Sequence, residues 1–273
     1  MYKLILILTI SFSFAQWFNI YHEGVNRTYY VSSPENANQE TPLIINMHGY
    51  GGNAINQQIY SGMDQFAHSE NVTVVYPQGL NYSWNVFTYW DSNPYDDVGF
   101  VSAMIDDISE NFNIDLDRVY ACGMSNGGYM SYSLACNLGN KIAAVASVTG
   151  SMTPDNFDDC NPSKPISVLQ IHGLQDVVVP YIGSSGSKSI PDVIDFWINY
   201  NSCSLEPNRV IKYSNLALIN FDTYENCLNN TNVKLILHAE MGHNWPFIST
   251  YNLSASNEVW NFVSQFNLSG KIN

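Results

Sequence analysis

Val119-Tyr120-Ala121-Cys122-Gly123-Met124-Ser125-Asn126-Gly127-Gly128-Tyr129-Met130 is the stretch whose reading decides this chain. An apolar run meets Gly-x-Ser-x-Gly and continues into a segment able to be helical. A strand that turns sharply into a helix holds the central serine at a strained apex, clear of the sheet. Glycines two residues to either side are needed because a side chain there collides as strand and helix close up. The turn lifts the Ser125 hydroxyl and aims the Asn126 amide at a reacting carbonyl. Such a pattern also arises by accident. The rest of the chain must therefore supply strand context, a base, an acid and a second oxyanion donor.

Strand context lies on both sides. Residues 17–32 read as an opening hairpin, with Glu23-Gly24 as its turn. Short apolar runs at 42–47, 71–76, 142–148, 165–171 and 233–239 suit strands buried on both faces. Between them, helices are expected at about 97–111, from the serine to about 138, at 190–201 and at 254–266. Asp97 is the expected cap of the first of these. Strands alternating with helices give an α/β class, a mostly parallel central sheet with helices on both faces.

The run 42–47 ends at His48-Gly49-Tyr50-Gly51-Gly52-Asn53. Glycines after a strand let the backbone approach a ligand and point its N–H groups at it. The Tyr50 amide is the first choice for the second oxyanion donor, and Gly51 is the reserve. Asp176 sits just past the strand at 165–171, where an acid belongs. Its rivals Asp155, Asp158, Asp159, Asp192 and Asp195 fall in loops or helices. Two histidines compete for the base. His238 lies within the last strand, oriented by the sheet, whereas His243 lies in the following loop, free to reach Ser125, and is preferred. The loop 77–96 carries Trp84, Phe87, Tyr89 and Trp90 and is assigned to an acyl-group pocket, with packing as a surface flap the alternative. Trp84, Trp90 and Trp245 are the expected substrate-binding aromatics, although Trp245 also suits a brace for the His243 loop.

Residues 1–15 read as an export leader: Lys3, an apolar core from Leu4 to Ile10, and a small-x-small site, Ser13-Phe14-Ala15. The expectation is a leader, 1–15, and one catalytic domain, 16–273. No run is long enough to span a membrane. The formal net charge of −14 disfavours nucleic acid and anionic membranes, leaving a neutral substrate as the natural partner. A monomer is expected. The chain carries five cysteines, which in an exported protein suggests two disulfides and one free thiol. Spacing does not fix the connectivity. Cys136 with Cys160 and Cys203 with Cys227 are the expected pairs, with Cys122 buried in a strand. No Cys-x-x-Cys or His-Glu-x-x-His spacing points to zinc, and neither metal nor cofactor is expected.

The order Ser125, Asp176, His243 is nucleophile, acid, histidine, each after its own strand. With Gly123-Met-Ser-Asn-Gly127-Gly128, His48-Gly49, Asp96-Asp97-Val-Gly-Phe100, His172-Gly-Leu-Gln-Asp176 and Gly242-His-Asn-Trp-Pro246, residues 25–265 resemble the secreted feruloyl esterase and polyhydroxybutyrate depolymerase family. These are α/β-hydrolases. The resemblance implies the triad Ser125, Asp176 and His243, an acyl-enzyme mechanism and a carboxylic ester substrate. It points to feruloyl esters of polysaccharides first and to hydroxyalkanoate oligomers second. It also implies a Cys203–Cys227 disulfide. No linker marks an appended binding module, which favours soluble esters or oligomers over insoluble polymer.

Overall fold

The computed structural model describes residues 13–34, 39–67, 69–88, 90–91, 93–214 and 217–272. Most of the expected leader lies outside these. Its last three residues begin strand β1 (Ser13–His22), which pairs antiparallel with β2 (Val25–Pro34). The hairpin closes on Glu23 and Gly24, both at positive φ (44° and 84°), the geometry that a two-residue turn between twisted strands requires.

Six parallel strands follow from the apolar runs. They are β3 (Thr41–Met47), β4 (Thr73–Pro77), β5 (Ile114–Met124), β6 (Ala144–Val148), β7 (Ser167–Gly173) and, later, β10 (Val233–His238). Successive side chains on a strand face opposite ways, so a fully apolar run feeds two cores at once. Leu43, Ile45, Val119, Ala121, Val168 and Leu235 enter one core. Ile44, Tyr120, Cys122, Leu169 and Ile236 enter the other.

Helices α1 (Ala54–Ser61), α2 (Asp64–Ala67) and α8 (Ala255–Val263) cover the second core. The first is covered by α3 (Asp97–Asn111), α4 (Asn126–Asn137) and α6 (Ile190–Tyr200). Shorter helices α5 (Pro154–Asp159) and α7 (Ile248–Tyr251) sit in connecting loops. Helix α3 corrects one detail of the sequence reading. Its cap is Asp96, whose Oδ1 accepts from the Gly99 amide at 2.8 Å. Asp97 instead turns inward to a buried ion pair with Arg27, because the neighbouring acid already satisfies the helix end.

With β8 (Asn208–Ser214) and β9 (Ala217–Tyr224) at one edge, the sheet order is β1-β2-β4-β3-β5-β6-β7-β10-β9-β8. Its last two strands form an antiparallel hairpin absent from the sequence reading. The chain moves outward from β3 to β4, then returns to place β5 on the other side of β3. In open α/β sheets the crevice at such a reversal, beyond the strand C-terminal ends, is where ligands bind. Ser125 follows β5 and His48 follows β3, so both stand at that point.

Disulfides join Cys136 to Cys160 and Cys203 to Cys227, and Cys122 is a buried free thiol. The first ties the end of α4 to the residue after α5. The second ties the segment after α6 to the segment after β9.

Candidate active site

The turn from β5 into α4 has no room for side chains beside its serine. A Cβ on Gly127 would lie 2.2 Å from the Met47 carbonyl oxygen, and one on Gly123 would lie 2.5 Å from the Gly127 backbone. Ser125 itself adopts φ 53°, ψ −118°, a strained conformation of the kind worth about 1–3 kcal/mol. Its amide donates to the Val148 carbonyl at 2.9 Å, fixing the apex against the end of β6.

The loop after β3 passes close by. A Cβ on Gly49 would meet the Ser125 Cβ at 3.4 Å. The Gly51 amide is taken by the Tyr82 carbonyl at 2.8 Å, which removes the reserve oxyanion donor. Among the described residues, nothing in the protein accepts from the amides of Tyr50 or Asn126. Asn126 opens α4, so the positive end of that helix adds to its donor.

Trp84 organises both halves, and here the sequence reading is corrected. It does not line a pocket: its side chain is fully buried. Its indole Nε1 donates to the His48 carbonyl at 2.8 Å. Its backbone clasps the Asn126 carboxamide, with the Trp84 amide donating to Oδ1 at 2.7 Å and Nδ2 donating to the Trp84 carbonyl at 3.1 Å. His48 is buried too. It accepts from the Gly79 amide at Nε2 (3.0 Å), so Nδ1 carries the proton toward the Gly49 carbonyl at 2.8 Å. Burial pushes its pKa down to about 4, with the Gly49 contact acting in the other direction.

Asp176 and His243 come from the ends of β7 and β10. His243 Nδ1 lies 2.8 Å from Asp176 Oδ2. The other carboxylate oxygen accepts from the amides of Val178 (2.9 Å) and Val179 (2.8 Å). Burial works against the charge on Asp176. The hydrogen bonds from His243 and Val179, with the charges of His243 and His172, outweigh it and hold the carboxyl below its ordinary pKa. The two loops are stitched together by Leu174 N to His238 O and Gln175 N to Met241 O, both 3.0 Å. Gly173 permits this crossing, since a Cβ there would lie 1.9 Å from the Met241 carbonyl oxygen.

His172 supports the acid loop from below. Its Nδ1 is 3.0 Å from Gln170 Nε2 and its Nε2 is 2.9 Å from the Val179 carbonyl, which makes Nε2 the protonated nitrogen. Burial pushes it down to about 4, despite the Val179 contact and the Asp176 charge. His238 is engaged elsewhere, between the Tyr251 carbonyl and the Glu240 amide, both at 3.2 Å.

Two cavities meet at Ser125. One, of about 260 Å³, is lined by His243, His48, Tyr50, Asn53, Asn56 and Tyr60 among others. The second, of about 330 Å³, is lined by Trp90, Tyr129, Val178, Val179 and Ser187, again with Tyr50. Trp90 thus reaches the site, edge-on to both Tyr50 and Tyr129. Trp245 does not: it is fully buried, with its indole donating to Ser256 Oγ at 3.0 Å. A tryptophan beside a catalytic-looking histidine has two ways to face, and packing under α8 decides this one. Tyr89 lies outside the described residues. Asn56 and Tyr60 carry no motif, and the sequence reading passed over them.

A strained serine at the end of a central parallel strand, with an acid and a histidine at the ends of two others, defines an α/β-hydrolase. The fold is shared with solved structures at low identity. An acetyl xylan esterase from Aspergillus awamori superimposes with a TM-score of 0.64 at 13% identity, covering 89% of this chain and 99% of that one. An S-formylglutathione hydrolase from Agrobacterium tumefaciens gives 0.63 at 14%, covering 92% and 95%. Residues 28–209 match the phospholipase/carboxylesterase family model, and the chain belongs to that family. Its curated relatives include feruloyl esterase B of Piromyces equi, 29% identical over 234 residues, 78% of this chain and 42% of that protein. A bifunctional acetylxylan esterase/xylanase of Neocallimastix patriciarum is 33% identical over 159 residues, 58% of this chain and 23% of that protein. The chain thus spans less than half the length of either.

Proposed function

We propose that this protein is an exported serine carboxylesterase that cleaves feruloyl-type esters of polysaccharide sugars through an acyl-enzyme. The observation that carries the reading is the Asp176–His243 hydrogen bond, set opposite a strained Ser125 in a shared cavity. Asp176 holds the Nδ1–H tautomer of His243, leaving Nε2 as the base. His243 takes the Ser125 proton as the oxygen attacks the ester carbonyl. Charge growing on the carbonyl oxygen is met by the amides of Tyr50 and Asn126, each such donor being worth about 10²- to 10³-fold in turnover. The ester C–O bond then breaks, and His243 gives its proton to the leaving alcohol. Water, deprotonated by the same histidine, attacks the acyl-enzyme and returns Ser125 with release of the acid.

The acyl group is assigned to the cavity of Trp90 and Tyr129. Its volume of about 330 Å³ leaves room for a group larger than acetyl. Three aromatic side chains and two valines suit a flat hydroxycinnamoyl group. Relatives named feruloyl esterase favour the same assignment.

A fluorophosphonate probe and an ester panel test this. Wild type should label and Ser125→Ala should not, and methyl ferulate should be hydrolysed faster than an acetyl ester. Equal labelling of both proteins defeats the catalytic assignment. Hydrolysis of hydroxybutyrate oligomers alone defeats the feruloyl one.

Export is supported by the two disulfides, which persist in oxidising compartments. Among the described residues no helix is long and apolar enough to cross a membrane. Amino-terminal sequencing of the secreted protein should begin at Gln16. Full retention in the cytoplasm contradicts the reading.

A further inference from the structure

We infer that the cavity between His243 and helix α1 is a subsite for the leaving alcohol, and that Asn56 and Tyr60 make it selective for an uncharged, hydroxyl-rich alcohol of the sugar class. The inference rests on the esterase reading above and adds the half of the substrate which that reading leaves unplaced.

The division between the cavities follows from proton transfer. Ser125 and Tyr50 border both, so the scissile carbonyl sits at their junction. His243 borders only the smaller one. A general acid must stand within hydrogen-bond reach of the oxygen it protonates. The alcohol oxygen, and whatever it carries, therefore enters the cavity of His243, and the acyl group takes the other.

The lining is what a sugar needs. Asn53, Asn56, Gln57 and Tyr60 contribute three carboxamides and a phenol, and no lysine, arginine, aspartate or glutamate borders the space. A carboxylated or cationic alcohol finds no counter-charge there. The polar groups also divide by whether they are already engaged. Gln57 is buried, with Nε2 donating to Asn46 Oδ1 at 2.8 Å. Asn53 Oδ1 caps α1 by accepting from the Asn56 amide at 2.8 Å. The Asn56 carboxamide has no side-chain hydrogen bond among the described residues and is exposed, so its donor and acceptor are both available.

Tyr60 is held rather than loose. Its hydroxyl oxygen accepts from the Trp245 amide at 2.9 Å, leaving the O–H proton free to donate. Its ring packs edge-on to Phe247 at 5.9 Å between centroids. The buried Trp245 indole anchors that segment through Ser256, which in turn donates to the Ser61 carbonyl at 2.6 Å on α1. Trp245 thus acts on the alcohol side indirectly, as a positioning residue that fixes Tyr60. A fixed aromatic ring and its hydroxyl beside the free Asn56 carboxamide offer one apolar face and several hydrogen bonds, the pairing a pyranose or furanose ring presents.

The test compares two feruloyl esters that share an acyl group: the methyl ester, whose leaving group fills none of the subsite, and a feruloylated pentose. Wild type should show the higher kcat/KM on the sugar ester. Asn56→Ala and Tyr60→Phe should each lower the ratio of sugar-ester to methyl-ester kcat/KM by about three- to ten-fold, the value of one net hydrogen bond, mainly through KM. Because both rates come from one preparation, partial misfolding cancels in the ratio. Ratios within two-fold of wild type for both variants overturn the subsite while leaving the esterase standing. Absence of activity on both esters in wild type overturns the esterase reading itself.

Discussion

Trp84 and Asn126 hold one another by a reciprocal pair of hydrogen bonds, the Trp84 amide to Asn126 Oδ1 at 2.7 Å and Asn126 Nδ2 to the Trp84 carbonyl at 3.1 Å. Asn126 supplies a proposed oxyanion donor through its backbone, so its side chain sets the direction of its amide. Removing that side chain leaves the buried Trp84 N–H and C=O without partners, a loss of about 1–3 kcal/mol in stability. Asn126→Ala should therefore lower both the melting temperature and kcat, the latter by about 10- to 100-fold if one donor is misdirected. Steady-state kinetics on an aryl ester with a parallel thermal melt checks this. A variant with unchanged kcat would show that the clasp serves packing only.

Asp176→Asn tests the acid separately from the fold. An amide in place of the carboxylate can still accept both the Val178 and Val179 hydrogen bonds at Oδ1. It cannot hold the same His243 tautomer or stabilise its charge. A kcat lower by about 10³- to 10⁴-fold, with a near-normal circular dichroism spectrum, is expected by analogy with triads of the same design. Loss under ten-fold would remove Asp176 from the mechanism.

Two buried histidines make the fold sensitive to mild acid. His48 and His172 both have folded-state pKa values pushed down to about 4 by burial, against about 6.5 in the unfolded chain. Above pH 6.5 both states are neutral and nothing changes. Between pH 6.5 and 4 the unfolded chain binds protons that the folded one refuses, so stability falls as pH falls. The loss is at most roughly 3 kcal/mol for each histidine. Asp97 opposes this, since burial raises its carboxyl despite Arg27, and it favours the folded state on acidification. His238, also lowered by burial, acts in the same sense as His48 and His172, so three imidazoles drive the fall and Asp97 only offsets part of it. The contribution of Asp176, whose folded pKa is depressed, is lost only below its ordinary range and adds to the fall there. Urea midpoints at pH 7.5, 5.5 and 4.5 should decrease in that order, and a flat series contradicts the neutral, buried assignment of both histidines.

What the sequence shows and hides follows from how each residue is constrained. The turn at Ser125 is legible because sterics allow only glycine at positions 123 and 127. The placement of Asp176 and His243 is legible because short apolar runs end just before them, and loops at strand ends face the crevice. An indole in a loop can face ligand or core, and only the acceptors at His48 and Ser256 reveal which: Trp84 turns away from the expected pocket, and Trp245 takes the bracing role that the sequence also allows. Asp96 and Asp97 exchange roles within one residue, a difference below what helix-cap patterns resolve. The β8–β9 hairpin left a partial signal, since Ala217, Ile219 and Phe221 alternate inward along β9. Strand β8 hides it, because Val210 and Ile211 are exposed on the edge of the sheet. Tyr60 left no signal at all, as its position depends on a bond to residue 245.

The two disulfides staple different parts of the fold, one the α4–α5 segment and the other the α6–β9 segment. Each closes a sequence separation of 24 residues, for which the loss of unfolded-state entropy amounts to about 3–4 kcal/mol. Cys136–Cys160 ties down α5, and α5 adjoins Thr153, whose hydroxyl donates to the Val86 carbonyl at 2.7 Å in the loop carrying Trp84 and Trp90. Loosening that bridge should reach the acyl cavity. Cys203–Cys227 joins the segments after α6 and after β9, with no hydrogen bond to that loop among the described residues. Replacing each pair by serine should therefore lower stability by a similar amount in both proteins. Only the Cys136/Cys160 variant should also raise KM for an aryl ester, and equal KM values in the two variants would disconnect that bridge from the site.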